Sequence, residues 1–208
     1  MKVNKLIETL IFQYQNRISQ DRPFIIGIDG LGGSGKTTLA CSLEDELKSY
    51  GIELLTLHID DYIVISGERY QTGHEQWAEY YHLQWNIPLI QSALFKSLHN
   101  YTGTISLPFY EHSSNTIIDQ PTLVPSDGIV LVEGIFLQRK EWQSYFDYMI
   151  FVDCPMEIRA ERVLGRDRYL GDYEARLKKY QQRYWPAEDY YLEQEEPYIK
   201  AGYVYPTR

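Results

Sequence analysis

The chain has 208 residues, of which 44% are hydrophobic and 24% charged, a balance typical of one soluble globular domain with a sizeable core. The formal net charge of −9 excludes the broad basic surfaces that bind nucleic acids or anionic membranes, although a nucleotide ligand needs only local positive charge. Two cysteines are too few for a disulfide framework or a zinc site, so a cytoplasmic location is expected.

The N-terminal segment, residues 1–19, predicts a surface helix. Leu6, Leu10, Tyr14 and Ile18 recur at helical spacing and form an apolar stripe. Polar residues interrupt this stripe throughout, so neither a signal-peptide core nor a membrane span is expected.

Four short apolar runs predict strands that are buried on both faces, as in a parallel sheet covered by helices. They cover residues 24–29, 53–60, 128–134 and 148–154. The amphipathic helical segment KTTLACSLEDELKSYG separates the first two runs, which gives a βαβ unit. We therefore predict a three-layer α/β fold, with a mostly parallel sheet of about five strands and helices on both faces.

Residues 1–208 are expected to form a single domain with two special segments. Residues 62–127 are longer than an ordinary crossover and carry an aromatic-rich helical stretch near 74–100. This segment predicts an insertion over the strand ends, where open α/β sheets bind their substrates. Residues 155–172 predict a lid region, and the chain from residue 157 onward predicts helices.

The octapeptide GLGGSGKT matches the G-x-x-x-x-G-K-[ST] pattern of the phosphate-binding loop, or P-loop. A buried-type strand precedes it and an amphipathic helix follows, which is the context that this motif requires. The backbone N–H groups of such a loop surround phosphate oxygens, while the lysine reaches the terminal phosphates. The predicted nucleotide-binding residues are Gly30, Gly32, Gly33, Ser34, Gly35, Lys36, Thr37 and Thr38. The fold is thus predicted to be that of P-loop NTPases.

Acidic residues end two of the predicted strands near this loop. Asp60 and Asp61 end the second strand, and strand alternation predicts that only one of them faces the site. Glu133 ends the third strand, at a usual position for a carboxylate of a magnesium shell. Helix caps or solvated turns are the alternative interpretation of all three.

An arginine cluster follows the fourth predicted strand. Arg159, Arg162 and Arg166 are spaced three and four residues apart, hence on one helical face if the helix persists through Gly165. Guanidinium groups suit phosphate oxygens and can neutralise charge during phosphoryl transfer. Pairing with nearby glutamates is the alternative, and Gly165 is a candidate hinge.

The segments IGIDGLGGSGKTTLA, HIDDY, LVEGI and IFVDCPMEIRAERVLGRD occur in an order and at spacings that resemble the uridine kinase and phosphoribulokinase family. The resemblance implies that Asp60 is the base facing the acceptor hydroxyl, and that Mg²⁺ lies among Thr37, Asp60 and Glu133. The glycine-loop motif itself predicts that Lys36 is catalytic, because its ammonium group reaches the β- and γ-phosphates. The three arginines would be lid residues, with Arg162 and Arg166 catalytic and Arg159 on the substrate.

The resemblance to the family is weaker at the residues that are expected to contact the acceptor. Tyr110 and His112, in LPFYEHSS, lie where uridine kinases contact the acceptor, although Tyr110 could equally be core. Uridine kinases hold the ribose hydroxyls with an aspartate, and the matching stretch here, QWNIP, has Asn86 instead. Asparagine can still hydrogen-bond a hydroxyl group, but it carries no charge.

The function implied by the resemblance is a small-molecule kinase that transfers the γ-phosphoryl group of Mg-ATP to a hydroxyl group of a nucleoside-like acceptor. One alternative is a kinase of a sugar phosphate or vitamin precursor, although the insertion has only Arg69 and Lys96 to bind a phosphorylated acceptor. Another is a nucleotide-dependent switch, in which Asp60 and Tyr110 have no necessary place. The acceptor, the use of GTP and the oligomeric state stay open.

Overall fold

The computed structural model describes residues 2–18 and 21–208. Its strands are β1 (Phe24–Gly30), β2 (Glu53–His58), β3 (Thr104–Glu111), β4 (Thr116–Leu123), β5 (Gly128–Gly134), β6 (Tyr148–Asp153) and β7 (Tyr203–Pro206). Five of them form a parallel sheet in the order β2-β5-β1-β6-β7, and β3 pairs with β4 in an antiparallel hairpin. The parallel sheet that the apolar runs predicted is confirmed.

The helices are α1 (Lys2–Gln15), α2 (Lys36–Ser49), α3 (Ser66–Arg69), α4 (Gln76–Leu83), α5 (Ile87–Ile90), α6 (Ser97–His99), α7 (Met156–Arg166), α8 (Tyr173–Lys179), α9 (Trp185–Glu195) and α10 (Pro197–Lys200). Two π-helical turns, Gln91–Lys96 and Tyr180–Tyr184, join α5 to α6 and α8 to α9. Within residues 2–18 and 21–208, none of these helices is long and apolar enough to cross a membrane.

Side chains of the sheet alternate between two apolar layers. On one face, Ile26 packs with Leu43 of α2 and Leu6 of α1. On the other face, Ile25 belongs to a cluster that includes Tyr191 of α9. The central strands β1 and β5 are buried along their whole length, as expected for a sheet covered on both faces. The predicted three-layer architecture is confirmed.

The carboxyl ends of β1, β2 and β5 meet at one edge of the sheet. In the parallel register, Glu133 of β5 lies between Ile28 of β1 and His58 of β2. The glycine loop leaves β1 at this edge and leads directly into α2. Because parallel strands end together, the topology brings the loop and the acidic strand ends into one site.

The structure differs from the sequence-based predictions at several element boundaries. Helix α1 ends at Gln15, and Ile18 beyond it is fully exposed. Strand β2 ends at His58, and a 3₁₀ turn, Ile59–Tyr62, follows it. The helical stretch expected near 74–100 is interrupted after Leu83 and resumes at Ile87. The C-terminal part is not entirely helical, because the short edge strand β7 completes the sheet.

Candidate active site

The glycine loop, residues 30–37, turns tightly at the start of α2. Gly33 and Gly35 have φ angles of 76° and 98°, in the left-handed region that favours glycine. A Cβ atom on Gly33 would lie 2.8 Å from Val163 Cγ1, so close packing against α7 requires glycine there as well. The loop and the N-terminus of α2 therefore have the arrangement with which phosphate-binding loops direct N–H groups at an anion.

Two cavities, each of about 560 Å³, meet at this loop. The outer cavity is lined by residues 33–39, Arg162, Tyr205 and Thr207, among others. The acidic cleft is lined by Asp60, Asp61, Glu133, Asp167 and Glu188, among others. Four residues, Gly33, Lys36, Thr37 and Arg166, line both cavities. The start of α2 and the end of α7 therefore form a shared wall between them.

The first side chains of α2 connect the loop to β5. Lys36 Nζ donates to the Leu31 carbonyl oxygen at 3.1 Å, and the Thr37 hydroxyl donates to Glu133 Oε2 at 3.3 Å. Thr38 lines the outer cavity, as does Ser34, whose hydroxyl group is buried. The structure thus brings together Lys36, Thr37 and Glu133, three of the residues that the sequence assigned to the site.

Glu133 is held in its charged form. Burial acts to raise its pKa, but the hydrogen bond from His58 and the positive charge of Lys36 outweigh burial, so the pKa of Glu133 is lowered. His58 Nδ1 lies 2.7 Å from Glu133 Oε2, and this bond, against the effect of burial, raises the pKa of His58. Glu133 is therefore an ionised carboxylate beside the Thr37 hydroxyl at neutral pH.

Asp60 and Asp61 both line the acidic cleft. The expectation that only one of them faces the site is wrong, because they lie on the 3₁₀ turn rather than on β2, where side chains would alternate. Asp60 is open to the cleft, yet the surrounding protein desolvates its carboxyl group and raises its pKa, against the charge of Lys36. The 3₁₀ turn thus gives the cleft two carboxylates instead of one.

The three arginines of α7 point to three different places. Arg166 lines both cavities, and Arg162 lines the outer cavity, where it donates to the Gly33 carbonyl oxygen at 3.0 Å. Arg159 is buried and donates to Glu188 Oε2 at 2.7 Å. The expected substrate contact of Arg159 is corrected, because its guanidinium is engaged in an ion pair behind the loop.

Of Tyr110, His112 and Asn86, the acceptor residues predicted within the insertion, only His112 lines the acidic cleft. Tyr110 is buried beside it, with ring centroids 4.7 Å apart, and its hydroxyl group donates to Asn115 Oδ1 at 3.0 Å. Asn86 lies outside the lining of the cleft, and its side chain accepts a hydrogen bond from the Leu89 N–H at 3.1 Å. The expectation for Asn86 is therefore corrected, since its side chain is the N-cap of α5.

Two buried carboxylates next to the loop were not found from the sequence. Glu188 of α9 is 2% exposed and accepts from the Gly32 N–H at 2.7 Å. Asp29 accepts from the Gly30 N–H at 2.8 Å and from the hydroxyl group of Tyr191. An aspartate inside the apolar run FIIGID was a usable signal for a buried polar residue, whereas nothing in the segment WPAEDYY distinguishes Glu188 from a surface glutamate.

Comparison with known proteins agrees with this geometry. The model of the Phosphoribulokinase / Uridine kinase family matches residues 25–194. A uridine kinase of Staphylococcus aureus is 31% identical over 147 residues, covering 69% of this chain and 68% of that protein. One of Deinococcus deserti is 29% identical over 150 residues, covering 70% and 69%.

Among solved structures, one described as a possible uridine kinase from Bacillus stearothermophilus superposes with a TM-score of 0.81. It is 37% identical, and the match covers 98% of this chain and 97% of that chain. The matched region contains the glycine loop, the acidic strand ends and the arginine helix. The chain therefore belongs to the phosphoribulokinase and uridine kinase family.

Proposed function

We propose that the protein transfers the γ-phosphoryl group of ATP to a hydroxyl group of a nucleoside-like small molecule. The observation that carries this proposal is the wall shared by the two cavities, formed by Gly33, Lys36, Thr37 and Arg166. A triphosphate bound in the outer cavity presents its terminal phosphate at this wall, opposite an acceptor in the acidic cleft. A nucleotide-dependent switch has no need of a second cavity at that point.

The phosphates are held by the loop and by two side chains of the shared wall. Backbone N–H groups of the loop surround the phosphate oxygens, and Lys36 neutralises the terminal phosphates. Arg166 offsets the charge that develops as the phosphoryl group moves. Arg162 lines the outer cavity and donates to the Gly33 carbonyl oxygen, so its guanidinium lies beside the loop and neutralises phosphate charge as a lid arginine.

The side chains beside the shared wall fit Mg²⁺. The Thr37 hydroxyl and the Glu133 carboxylate lie together, and Asp60 lines the same cleft. Mg²⁺ prefers oxygen ligands and is usually held by one or two carboxylates together with substrate phosphates and waters. Within the described residues, no group of three or more His, Cys, Asp and Glu side chains could hold a metal ion, so phosphate and water ligands would have to complete this site. When bound, the ion neutralises phosphate charge.

Asp60 orients the acceptor hydroxyl and takes its proton. The hydroxyl oxygen forms a bond to the γ-phosphorus, the bond from that phosphorus to the β,γ-bridging oxygen breaks, and ADP leaves. Asp60 suits this role because its carboxylate lines the acidic cleft together with Lys36, next to the wall that faces the terminal phosphate. His112, on the same cleft, is placed to contact the acceptor.

The acceptor class is taken from the family relatives, which are uridine kinases. The net charge of −9 supports a small-molecule substrate rather than a nucleic acid or a membrane surface. Two free thiols, an exposed Cys41 and a buried Cys154, agree with a reducing cytoplasm.

The test is ADP release from Mg-ATP by the purified protein, across a panel of nucleosides, vitamin precursors and sugar phosphates. We expect release that depends on a nucleoside-like acceptor, with phosphorylated acceptor as the second product. The Asp60→Asn variant serves as the control and should lose this turnover. Slow hydrolysis that is indifferent to every acceptor would overturn the proposal in favour of a nucleotide-dependent switch.

A further inference from the structure

Arg69 is a buried cation on the wall of the acidic cleft. It is the last residue of the short helix α3 and is 8% exposed. Its side chain lines the cleft together with Tyr70 and Gln84. Within residues 2–18 and 21–208, no carboxylate forms an ion pair with it. A buried guanidinium without a counter-charge is costly, so its position calls for an explanation.

The other buried arginines of the described chain each have a carboxylate partner. Arg159 pairs with Glu188, Arg183 with Glu79 and Arg139 with Glu141. Arg69 differs from them in one further respect, because it lines the cleft whereas these three do not. The missing counter-charge therefore coincides with access to the space that receives the acceptor.

The guanidinium of Arg69 is held in place by neutral groups. Nε donates to the Val64 carbonyl oxygen at 2.9 Å, and one terminal nitrogen donates to the Tyr70 hydroxyl at 3.0 Å. The guanidinium carbon lies 4.8 Å from the Tyr70 ring centroid and 5.2 Å from that of Tyr110. An arginine has five N–H donors, so this arrangement fixes the group and still leaves donors for a ligand.

The β3–β4 hairpin contributes to this arrangement. Asn115 lies in the turn of this hairpin, and its Oδ1 accepts hydrogen bonds from the Ser66 N–H at 2.8 Å and from the Tyr110 hydroxyl at 3.0 Å. The Asn115 side chain therefore attaches the hairpin to the start of α3, the helix that ends in Arg69. It also fixes the Tyr110 ring, which packs against the Arg69 guanidinium. Tyr110 is buried outside the cleft lining and therefore supports Arg69 rather than forming part of the cleft surface.

The surroundings of Tyr70 carry an excess of positive charge. Its ring faces Lys179 at 5.0 Å and Arg183 at 4.2 Å in addition to Arg69. Glu79 is the partner of Arg183. In a chain with a net charge of −9, this local excess favours an anionic ligand.

The acids of the cleft have other partners or tasks. Asp167 pairs with Arg166, and Glu188 pairs with Arg159. Asp60, Asp61 and Glu133 lie at the strand ends beside the glycine loop, where a metal ion and the acceptor proton are handled. None of these acids forms an ion pair with Arg69, so the positive charge of Arg69 is available to an acceptor in the cleft.

We propose that Arg69 binds an anionic group of the acceptor, a carboxylate or a phosphate ester. The inference rests on the proposed function and makes it narrower, because the acceptor then carries both a hydroxyl group that is phosphorylated and an anionic group that is recognised. Arginine suits this recognition, since its planar donors match two oxygens of a carboxylate or phosphate at once.

The first experiment uses the wild-type protein and three nucleosides that share a free 5′-hydroxyl group. Orotidine adds a carboxylate to uridine, and uridine 3′-monophosphate adds a phosphate ester. We expect kcat/KM for one of the two anionic compounds to exceed that for uridine by about tenfold or more. Which of the two is preferred distinguishes a carboxylate from a phosphate. Equal or better turnover of uridine would overturn the inference while leaving the kinase function intact.

The second experiment compares Arg69→Met with Lys96→Met, the other basic residue of the insertion, which is exposed and lies outside the cleft lining. Arg69→Met should remove the preference for the anionic acceptor, and Lys96→Met should keep it. Arg69→Lys, which retains the charge but not the planar donors, should keep part of it, with far-UV circular dichroism as the check on folding. An unchanged ratio in the Arg69 variants would contradict the inference.

A binding measurement covers the case in which none of the three nucleosides is phosphorylated. That result would count against the proposed function, but Arg69 can still be tested by thermal unfolding with a non-hydrolysable ATP analogue present. Orotidine or uridine 3′-monophosphate should raise the melting temperature of the wild type more than uridine does. The inference fails if neither compound does so, or if the same difference persists in Arg69→Met.

Discussion

The glycine loop and the wall of the acidic cleft are specified in opposite ways. The loop is one run of eight residues, and its phosphate-binding groups are mainly the backbone N–H groups of its glycines and of the helix N-terminus. The cleft is lined by residues from Gly32 to Glu188, on at least five separate elements. Backbone chemistry can be contained in a short motif, whereas recognition by side chains needs the whole fold. The two regions should therefore respond differently to substitution.

The largest effect is expected in the loop. Lys36→Ala removes the cation that reaches the transferred phosphate, and kcat should fall on the order of 10³-fold or more. Lys48→Ala is the matched control, because Lys48 lies on the same helix, at the surface, where it pairs with Glu44. ADP release measures both variants. Rates near wild type in Lys36→Ala would remove the phosphate-loop interpretation.

Asp60→Asn tests the cleft side of the reaction. An asparagine cannot accept the acceptor proton, so kcat should fall by roughly 10²- to 10⁴-fold, with a much smaller change in KM for ATP. Asp61→Asn separates the two carboxylates of the 3₁₀ turn and should be the milder variant. If ATP affinity alone were lost in Asp60→Asn, the residue would be assigned to nucleotide or metal binding instead.

Glu188→Ala tests the link between the two regions. The substitution leaves Arg159 buried without its partner and frees the Gly32 N–H, so the free energy of unfolding should fall by about 3–5 kcal/mol. Glu193→Ala, at an exposed position of the same helix, is the control. Chemical denaturation measures both, and equal stability of the two variants would show that the buried pair is dispensable.

Asn86 should influence stability but not the choice of acceptor. Asn86→Ala removes the cap of α5 and should cost about 1 kcal/mol, while Asn86→Asp, an equally good cap, should be nearly neutral. Neither variant should alter the ratio of kcat/KM values across an acceptor panel. A changed ratio in Asn86→Asp would restore the acceptor contact that the sequence suggested.

The smallest effect is a pH dependence carried by His58. Its pKa is raised by the hydrogen bond to Glu133, so its contribution to stability is complete below the ordinary histidine pKa of about 6.5 and is lost as pH rises through the raised value. The melting temperature of wild type should therefore exceed that of His58→Gln more at pH 6 than at pH 8.5, in EDTA without nucleotide. A difference that grows with pH would contradict the assigned direction.

Local chemistry in the sequence is enough to specify the parallel sheet, the glycine loop and the acidic strand ends. Continuous apolar runs make buried strands, glycines permit left-handed backbone, and parallel strands end at the same edge. For the same reason, the sequence alone predicts that Lys36, Thr37 and Glu133 lie close together, and they line the same cleft in the structure. It also locates the aspartate pair, but the orientation of that pair depends on a 3₁₀ turn that alternation rules do not describe.

The choice of side chains that face the acceptor depends instead on tertiary packing. Position in a motif predicts that Arg159 and Tyr110 contact the substrate. Neither lines the cleft, because Arg159 pairs with Glu188 and Tyr110 packs against Arg69. Arg69, Gln84 and Glu188 have no local signature, because their roles follow from the packing of the insertion and the C-terminal helices over the sheet. Contacts between residues far apart in the chain, such as Glu188 with Arg159, 29 positions away, and with Gly32, 156 positions away, carry no periodicity or spacing that one sequence can display.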